Sequence, residues 1–193
     1  MGSPYLGADA AHRLDGPDPE YPRNLQRSRV SWPSMAEPTP TICEWAGGRP
    51  ALARWLNRFY DLVETEAPDI ATLFGERVGS EHRERVTDWW TEVMGGPAIY
   101  TAHRGGYEHM LARHRDLAIT PEQRLTFVTL LSRAADDTGL PADPEFRSAL
   151  MGYAEWGTRL AMHNSQPDAQ VTPHAPVPRW GWGVAPPYIP PGE

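Results

Sequence analysis

The chain lacks several features that would assign it to a class at once. Its 193 residues contain a single cysteine, Cys43, so no internal disulfide can form. No run approaches the roughly 18 consecutive apolar residues of a membrane-spanning helix. No segment has the charged start and apolar core of a signal peptide. These absences predict a soluble, cytoplasmic protein without a membrane partner.

Lysine is absent, and all 18 basic residues are arginine. Together with 25 acidic residues they leave a formal net charge of −7. Sequence-independent binding to nucleic acid needs a basic surface, so nucleic acid is excluded from the expected partners. The chain also has no Gly-x-Gly-x-x-Gly motif for a flavin or nicotinamide cofactor, so any redox activity would need an external reductase.

Proline is plentiful, and its distribution divides the chain. Residues 1–39 and 165–193 are rich in proline without apolar periodicity, so both are expected to be irregular or disordered extensions. Residues 40–164 are expected to form one globular domain, which is long enough to bury one ordinary core.

The central region shows helical periodicity. Three- and four-residue steps join Leu52, Leu56 and Phe59 and predict a helix after a Gly-Gly-Arg-Pro break. Ser80 is the predicted N-cap of a second helix that ends at a Gly-Gly-Pro run. Thr120 and Asp143, each followed by proline and glutamate, predict the starts of two more helices. Strand-like alternation is absent, so the predicted class is all-α.

His114 lies at the end of a short segment between Gly105-Gly106 and the helix that starts at Thr120. Such a segment is held by its neighbours and can direct one side chain into a gap between longer helices. A neutral imidazole placed there is a good ligand for a transition metal. The alternatives are that His114 is an ordinary polar or capping residue, or that His109 is the ligand instead.

The motifs between residues 43 and 164 resemble, in order and spacing, those of group II truncated haemoglobins. They are Gly47-Gly48, Arg58-Phe59-Tyr60, Gly95-Gly96-Pro97 with Tyr100, Arg104-Gly105 and Ala112-Arg113-His114. The resemblance implies a two-over-two truncated globin helical sandwich that holds haem b, with His114 as the proximal iron ligand. The Ala-Arg-His motif and the thirteen-residue step from His114 to Phe127 favour His114 over His109.

The resemblance also implies a distal pocket. Tyr60 matches a hydrogen-bond donor to a bound diatomic ligand, His82 a distal gate, and Phe74 an aromatic residue that packs on the porphyrin. Val86 matches an apolar residue one turn beyond His82, and the four-residue step places both on one helix face. Phe127 stands where the family usually has tryptophan, so the aromatic bulk is kept but a donor is missing.

Three residues are candidates for contacts to the haem propionates. Arg85, Tyr100 and Arg113 carry guanidinium and phenol groups that suit carboxylates at a pocket mouth. The alternative for the two arginines is a solvated surface position, and the alternative for Tyr60 is a core tyrosine with a backbone partner.

The resemblance implies a protein that binds dioxygen, nitric oxide or carbon monoxide in oxygen or nitric oxide handling or sensing. A haem-dependent oxidoreductase of the peroxidase or nitric oxide dioxygenase type is the alternative, and the sequence does not decide whether the protein is an enzyme. A globin-fold interaction protein without haem is the third hypothesis. Candidate partners are the diatomic gas, an external reductase and a second copy of the chain in a homodimer.

The C-terminal extension contains Trp180, Trp182 and Tyr188 among prolines and glycines. Leaving their apolar surface in water is unfavourable by roughly 25 cal/mol per Å². The extension is therefore expected to fold back over the globular domain, to pack on the N-terminal extension through Tyr5, Tyr21 or Trp32, or to dock on a partner. A disordered tail without a specific role is the remaining alternative.

Overall fold

The computed structural model describes residues 39–75 and 77–183. Predictions about Tyr5, Tyr21, Trp32 and Tyr188 lie outside the described residues. Within them the chain forms α-helices and one 3-10 turn, Thr72–Phe74, and no β-strand. The helices are α1 (Ile42–Trp45), α2 (Gly48–Glu66), α3 (Pro68–Ala71), α4 (Ser80–Val93), α5 (Ile99–His103), α6 (Gly106–His114), α7 (Pro121–Asp137) and α8 (Pro144–Asn164). None of these helices combines the length and the apolar character that crossing a membrane requires.

The starts of α7 and α8 follow the sequence signals. Thr120 Oγ1 accepts a hydrogen bond from the Gln123 amide at 3.2 Å, and Gln123 Oε1 accepts one from the Thr120 amide at 3.0 Å. This reciprocal capping box satisfies two amides that the first helical turn would leave unpaired. Asp143 caps α8 by accepting from the Phe146 amide at 2.8 Å.

The start of α4 differs from the prediction. Ser80 is the first helical residue, and Gly79 is the N-cap without a side-chain hydrogen bond, so the prediction that Ser80 caps the helix is wrong. The Gly79 carbonyl accepts hydrogen bonds from the amides of His82 and Arg83. Glu64 of α2 accepts a hydrogen bond from the Val78 amide at 2.8 Å. Contacts with α2 therefore fix where the helix begins, and the capping preference of serine does not decide it.

The four long helices form the predicted two-over-two sandwich. α2 packs against α4 and α7, and α7 packs against α8. Trp55 is fully buried between the layers, and its Nε1 donates a hydrogen bond to the Leu131 carbonyl at 2.9 Å. The core that these helices enclose also contains Phe59, Phe146 and Leu150. The all-α fold class is confirmed.

A buried carboxylate ties three helices together. Asp88 of α4 is 2% exposed and accepts hydrogen bonds from Arg49 at 2.9 Å and from Arg104 at 3.0 Å. Arg49 belongs to the first turn of α2, and Arg104 follows the end of α5. A buried charge needs such partners because water no longer solvates it.

Cys43 is buried beneath the turn that follows α4. It is 4% exposed, and desolvation raises the pKa of its thiol. Gly96 passes directly above it, where a Cβ atom would lie 2.7 Å from the Thr91 carbonyl oxygen and 3.0 Å from the Cys43 sulfur. Only glycine fits at this point, so the Gly-Gly-Pro run lets the chain close over Cys43.

Residues 171–183, here named the C-terminal strap, contain no helix and lie along the globular domain. The Trp180 amide donates to the Val93 carbonyl at 2.8 Å, and its ring centroid lies 5.6 Å from that of Tyr153. Trp182 Nε1 donates to the Pro40 carbonyl at 2.7 Å, and its ring meets Trp45 edge-on. The described part of the extension is thus folded back on the domain.

Candidate functional site

A cavity of about 660 Å³ opens between α4, α6, α7 and α8, with the end of α2 and the 3-10 turn at one side. This volume falls within the roughly 300–1,000 Å³ of small-molecule and cofactor sites. All nine predicted site residues line it: Tyr60, Phe74, His82, Arg85, Val86, Tyr100, Arg113, His114 and Phe127. His109 lines it as well, so position alone does not separate the two histidines of α6.

The hydrogen bond of His114 fixes its tautomer. Nδ1 lies 2.9 Å from the Met110 carbonyl oxygen, one turn earlier in α6. A carbonyl only accepts, so Nδ1 carries the proton and Nε2 keeps its lone pair. Burial lowers the pKa of His114, which keeps the ring neutral. A neutral imidazole oriented by a backbone carbonyl is the form that ligates a metal.

The backbone after His114 is strained and held in place. Asp116 and Ala118 adopt positive φ angles of 62° and 48°, in the left-handed region that non-glycine residues avoid. Ser165, just beyond α8, accepts hydrogen bonds from the amides of Ala118 and Ile119, each at 2.9 Å. These bonds anchor the end of α6, and with it His114, to the end of α8.

Tyr60 and His82 form a hydrogen-bonded pair at the opposite side of the cavity. The Tyr60 hydroxyl lies 2.9 Å from His82 Nε2 and has no backbone partner among the described residues. The alternative of a core tyrosine bonded to the backbone is therefore wrong. Burial raises the pKa of Tyr60, so the hydroxyl stays protonated.

The pKa of His82 is lowered to about 4, chiefly by burial and then by the charge of Arg85. His82 is therefore neutral near pH 7, with one ring nitrogen that donates and one that accepts. When Nε2 lacks a proton, the Tyr60 hydroxyl donates to it. When Nε2 is protonated, it donates to the Tyr60 oxygen, and the hydroxyl proton is free to point into the cavity.

Apolar and aromatic side chains complete this side. The Phe74 ring lies 4.9 Å from the ring of His82 and 5.6 Å from that of Tyr60, measured between centroids. Phe127 packs edge-on against Phe59 at 4.5 Å. Phe127 has no polar atom, so Tyr60 and His82 supply the polar groups at this side of the cavity.

The cavity lining also carries positive charge. Arg85 lines the cavity and forms an ion pair with Glu81 at 2.5 Å. Arg113 has no carboxylate within 4.0 Å among residues 39–75 and 77–183. Tyr100 is 5% exposed and packs on Trp89, and burial raises the pKa of its hydroxyl. The lining can therefore accept an anionic group such as a carboxylate.

Several cavity-lining residues were not predicted as site residues. Trp89, Tyr107, Met110, Tyr153 and Trp156 also face it. Tyr153, Trp156 and Leu160 of α8 recur at three- and four-residue steps, which is the signal that could have identified this wall. Apolar spacing reports that a face is buried but does not report whether it faces another helix or a cavity.

The model of the bacterial-like globin family matches residues 41–155. The group II truncated haemoglobin from Bacillus anthracis is 25% identical, with a TM-score of 0.59, and the match covers 67% of this chain and 95% of that one. The haemoglobin of Chloroflexus aurantiacus is 28% identical, with a TM-score of 0.56 over 64% and 98% of the chains. The truncated oxygen-avid haemoglobin from Bacillus subtilis is 25% identical, with a TM-score of 0.56 over 63% and 98%. No curated protein matches the chain.

Proposed function

We propose that this chain, a haem-binding member of the bacterial-like globin family that is similar to solved group II truncated haemoglobins, holds haem b through His114 and binds a diatomic gas, dioxygen, nitric oxide or carbon monoxide, beside Tyr60. The observation that carries this proposal is the His114 tautomer. Its Nδ1 proton is used by Met110, so the lone pair of Nε2 is available to a metal.

The other residues of the cavity fit haem. An apolar wall of Phe74, Val86 and Phe127 suits a flat porphyrin, and the cavity volume suits a cofactor of that size. Arg85 and Arg113 provide guanidinium groups for the propionates.

Haem b, when bound, supplies an iron centre with one coordination position for the gas. His114 of α6 would hold the group, and its Met110 hydrogen bond keeps the imidazole from rotating. On the other side, Tyr60 is the donor that a polar gas ligand needs, provided that His82 Nε2 carries the proton of the pair. His82 therefore sets whether the Tyr60 proton faces the cavity.

The test is spectroscopic. The purified protein is expected to show a Soret band, and the reduced, oxygenated and carbon monoxide forms should differ in their absorption spectra. His114→Ala is expected to abolish stable haem incorporation, since this residue provides the one strong protein bond to the iron. His109→Ala is the matched control on the same helix and should leave the Soret band intact.

Unchanged haem stoichiometry and spectra in the His114 variant would contradict the assignment. Loss of haem in the His109 variant alone would transfer the proximal role to His109. A chain without any Soret band after reconstitution with haem would favour the interaction protein without haem.

A haem-dependent oxidoreductase remains the second candidate, and the neutral state of His82 favours it. An imidazole with a pKa of about 4 beside the cavity can accept a proton from a hydroperoxide. Such an enzyme would need an external reductase, and we propose a cytoplasmic location for either function.

A further inference from the structure

A row of aromatic rings runs along the wall of the cavity and continues to the strap. The centroids of Trp90 and Tyr153 lie 4.8 Å apart, and those of Tyr153 and Trp156 lie 6.0 Å apart. Trp180 of the strap lies 5.6 Å from Tyr153 and 5.8 Å from Trp156. Trp89 joins the row by donating a hydrogen bond to the Tyr153 hydroxyl at 2.8 Å. Adjacent rings are in contact, so an electron can pass between them over short distances.

Trp156 is the point at which this row meets water. Its side chain lines the cavity and is also 42% exposed. Trp156 and Trp180 both follow Glu155, the last residue that the family model matches. Family membership therefore does not account for the exposed end of the row.

The chemistry of the rings makes Trp156 the member of the row that stays oxidised after an electron has been removed. Indole and phenol rings lose one electron more readily than most side chains. Tyr153 is buried, and desolvation raises the pKa of its hydroxyl, so it has no ready means of losing its proton. The exposed indole of Trp156 can release its Nε1 proton to water when it loses an electron.

We propose that Trp156 is a surface oxidation site, through which phenols too large for the cavity donate electrons to the haem site while a hydroperoxide is reduced there. This inference rests on the proposed haem binding and adds an electron-donor site to it. The donor need only reach the exposed part of the Trp156 side chain.

The reaction balances with these reactants. The hydroperoxide takes up two electrons and two protons, its O–O bond breaks, and it leaves as an alcohol and water. Trp156 supplies each electron in turn and then recovers one electron and one proton from a phenol. The sum is ROOH + 2 ArOH → ROH + H2O + 2 ArO•, so the hydroperoxide is reduced and two phenols are oxidised.

The experiment uses the haem-loaded full chain, hydrogen peroxide and two donors. One donor is free 4-methoxyphenol, which is small enough to enter the cavity, and the other is phenol grafted through a short link to dextran, which is not. Trp156→Phe is the test variant. Trp182→Phe is the matched control, because Trp182 belongs to the same strap as Trp180 but does not line the cavity.

Trp156→Phe is expected to lower kcat/KM for the grafted phenol about tenfold or more, and to lower that for the free phenol by a clearly smaller factor. Without a donor, mass spectrometry should find oxygen added at Trp156 in the wild type, and the grafted phenol should suppress this addition. Trp182→Phe should behave as the wild type in both assays.

Equal loss with both donors, no change with either, or oxidation spread over many residues would overturn the proposal. A protein without a Soret band would instead fail the haem assignment, which separates the two failures. Oxidation at Trp156 in the haem-free protein would show adventitious surface damage and would also overturn the proposal.

Discussion

The Tyr60 hydroxyl is the residue-scale feature with the largest expected effect on gas binding. It is buried and remains protonated, and Phe127 carries no polar atom that could add a donor beside it. Its partner His82 is neutral and can exchange between two tautomers. The strength with which the cavity holds a polar ligand thus depends on one hydroxyl proton.

Tyr60→Phe is expected to raise the dissociation rate of dioxygen by roughly ten- to a hundredfold. A hydrogen bond to a charged or strongly polarised acceptor contributes about 1.5–3 kcal/mol, and its loss falls on the bound state. Stopped-flow displacement of dioxygen by carbon monoxide measures this rate. His82→Leu should have a smaller effect, because it removes the partner that orients the hydroxyl and leaves the donor in place.

A reversed order of effects would assign the donor to His82. If Tyr60→Phe changes the rate less than about twofold while His82→Leu changes it strongly, Tyr60 only packs. Insensitivity to both substitutions would make a polar gas-binding pocket untenable.

The resemblance implied a separate role for Tyr60 and for His82, but the sequence did not indicate that the two side chains are in contact. Tyr60 and His82 are 22 residues apart, and their bond depends on how α2 and α4 cross. Trp156 was missed for a different reason. It recurs with Tyr153 and Leu160 at three- and four-residue steps, but such spacing does not report whether the shared face lines a cavity or meets another helix.

At the scale of elements, Asp88 holds α4 against the start of α2 and the end of α5. Asp88→Ala is expected to lower the free energy of unfolding by about 2–3 kcal/mol. This is at or below the low end of the stability loss that follows when one partner of a buried ion pair is removed. The value is low because Arg49 and Arg104 are 38% and 25% exposed and can turn to water. Urea denaturation measures the change.

Asp137→Ala is the control, since its pair with Arg58 is exposed, at 32% and 40%, and should contribute less than about 1 kcal/mol. A cost for Asp88→Ala no larger than that of the control would show that α4 is held by apolar packing alone.

The ends of helices were predictable where the side chain itself makes the cap. Thr120 and Asp143 hydrogen-bond to the amides of their own first turns, and sequence spacing reports such local bonds well. α1, α3 and α5 contain only four or five residues each, and their sequences carry little periodicity. Helices this short depend on the surrounding structure, so they could not be predicted alone.

At the scale of the whole molecule, the strap covers part of the α4–α8 surface and reaches the cavity. Pro178 lines the cavity, while Trp180 and Trp182 are anchored by hydrogen bonds to Val93 and Pro40. Composition predicted an irregular segment here. Its path could not be predicted, because both anchors are backbone carbonyls far away in the sequence.

A chain that ends after Gln170 is expected to lose about 2–4 kcal/mol of unfolding free energy. A large apolar side chain contributes about 1.5–3 kcal/mol when it is fully buried, and the lost Trp180 and Trp182 are half-buried. Ser165, which anchors the backbone after His114, remains in this variant. It should also release haem faster to an acceptor globin, as measured by the Soret shift.

A chain that ends after Gly183 keeps the strap and serves as the control. Equal stability and equal haem loss in the two truncated chains would show that the strap contributes nothing to either property.

The burial of Cys43 gives the molecule a built-in reporter of local opening. It is the sole thiol of the chain, and it lies beneath Gly96 with 4% of its surface exposed. A thiol reagent is expected to reach Cys43 faster when the turn after α4 lifts, so a change in the labelling rate reports a change in that opening. Comparing this rate with and without bound gas would show, without any substitution, whether ligand binding in the cavity loosens the turn after α4.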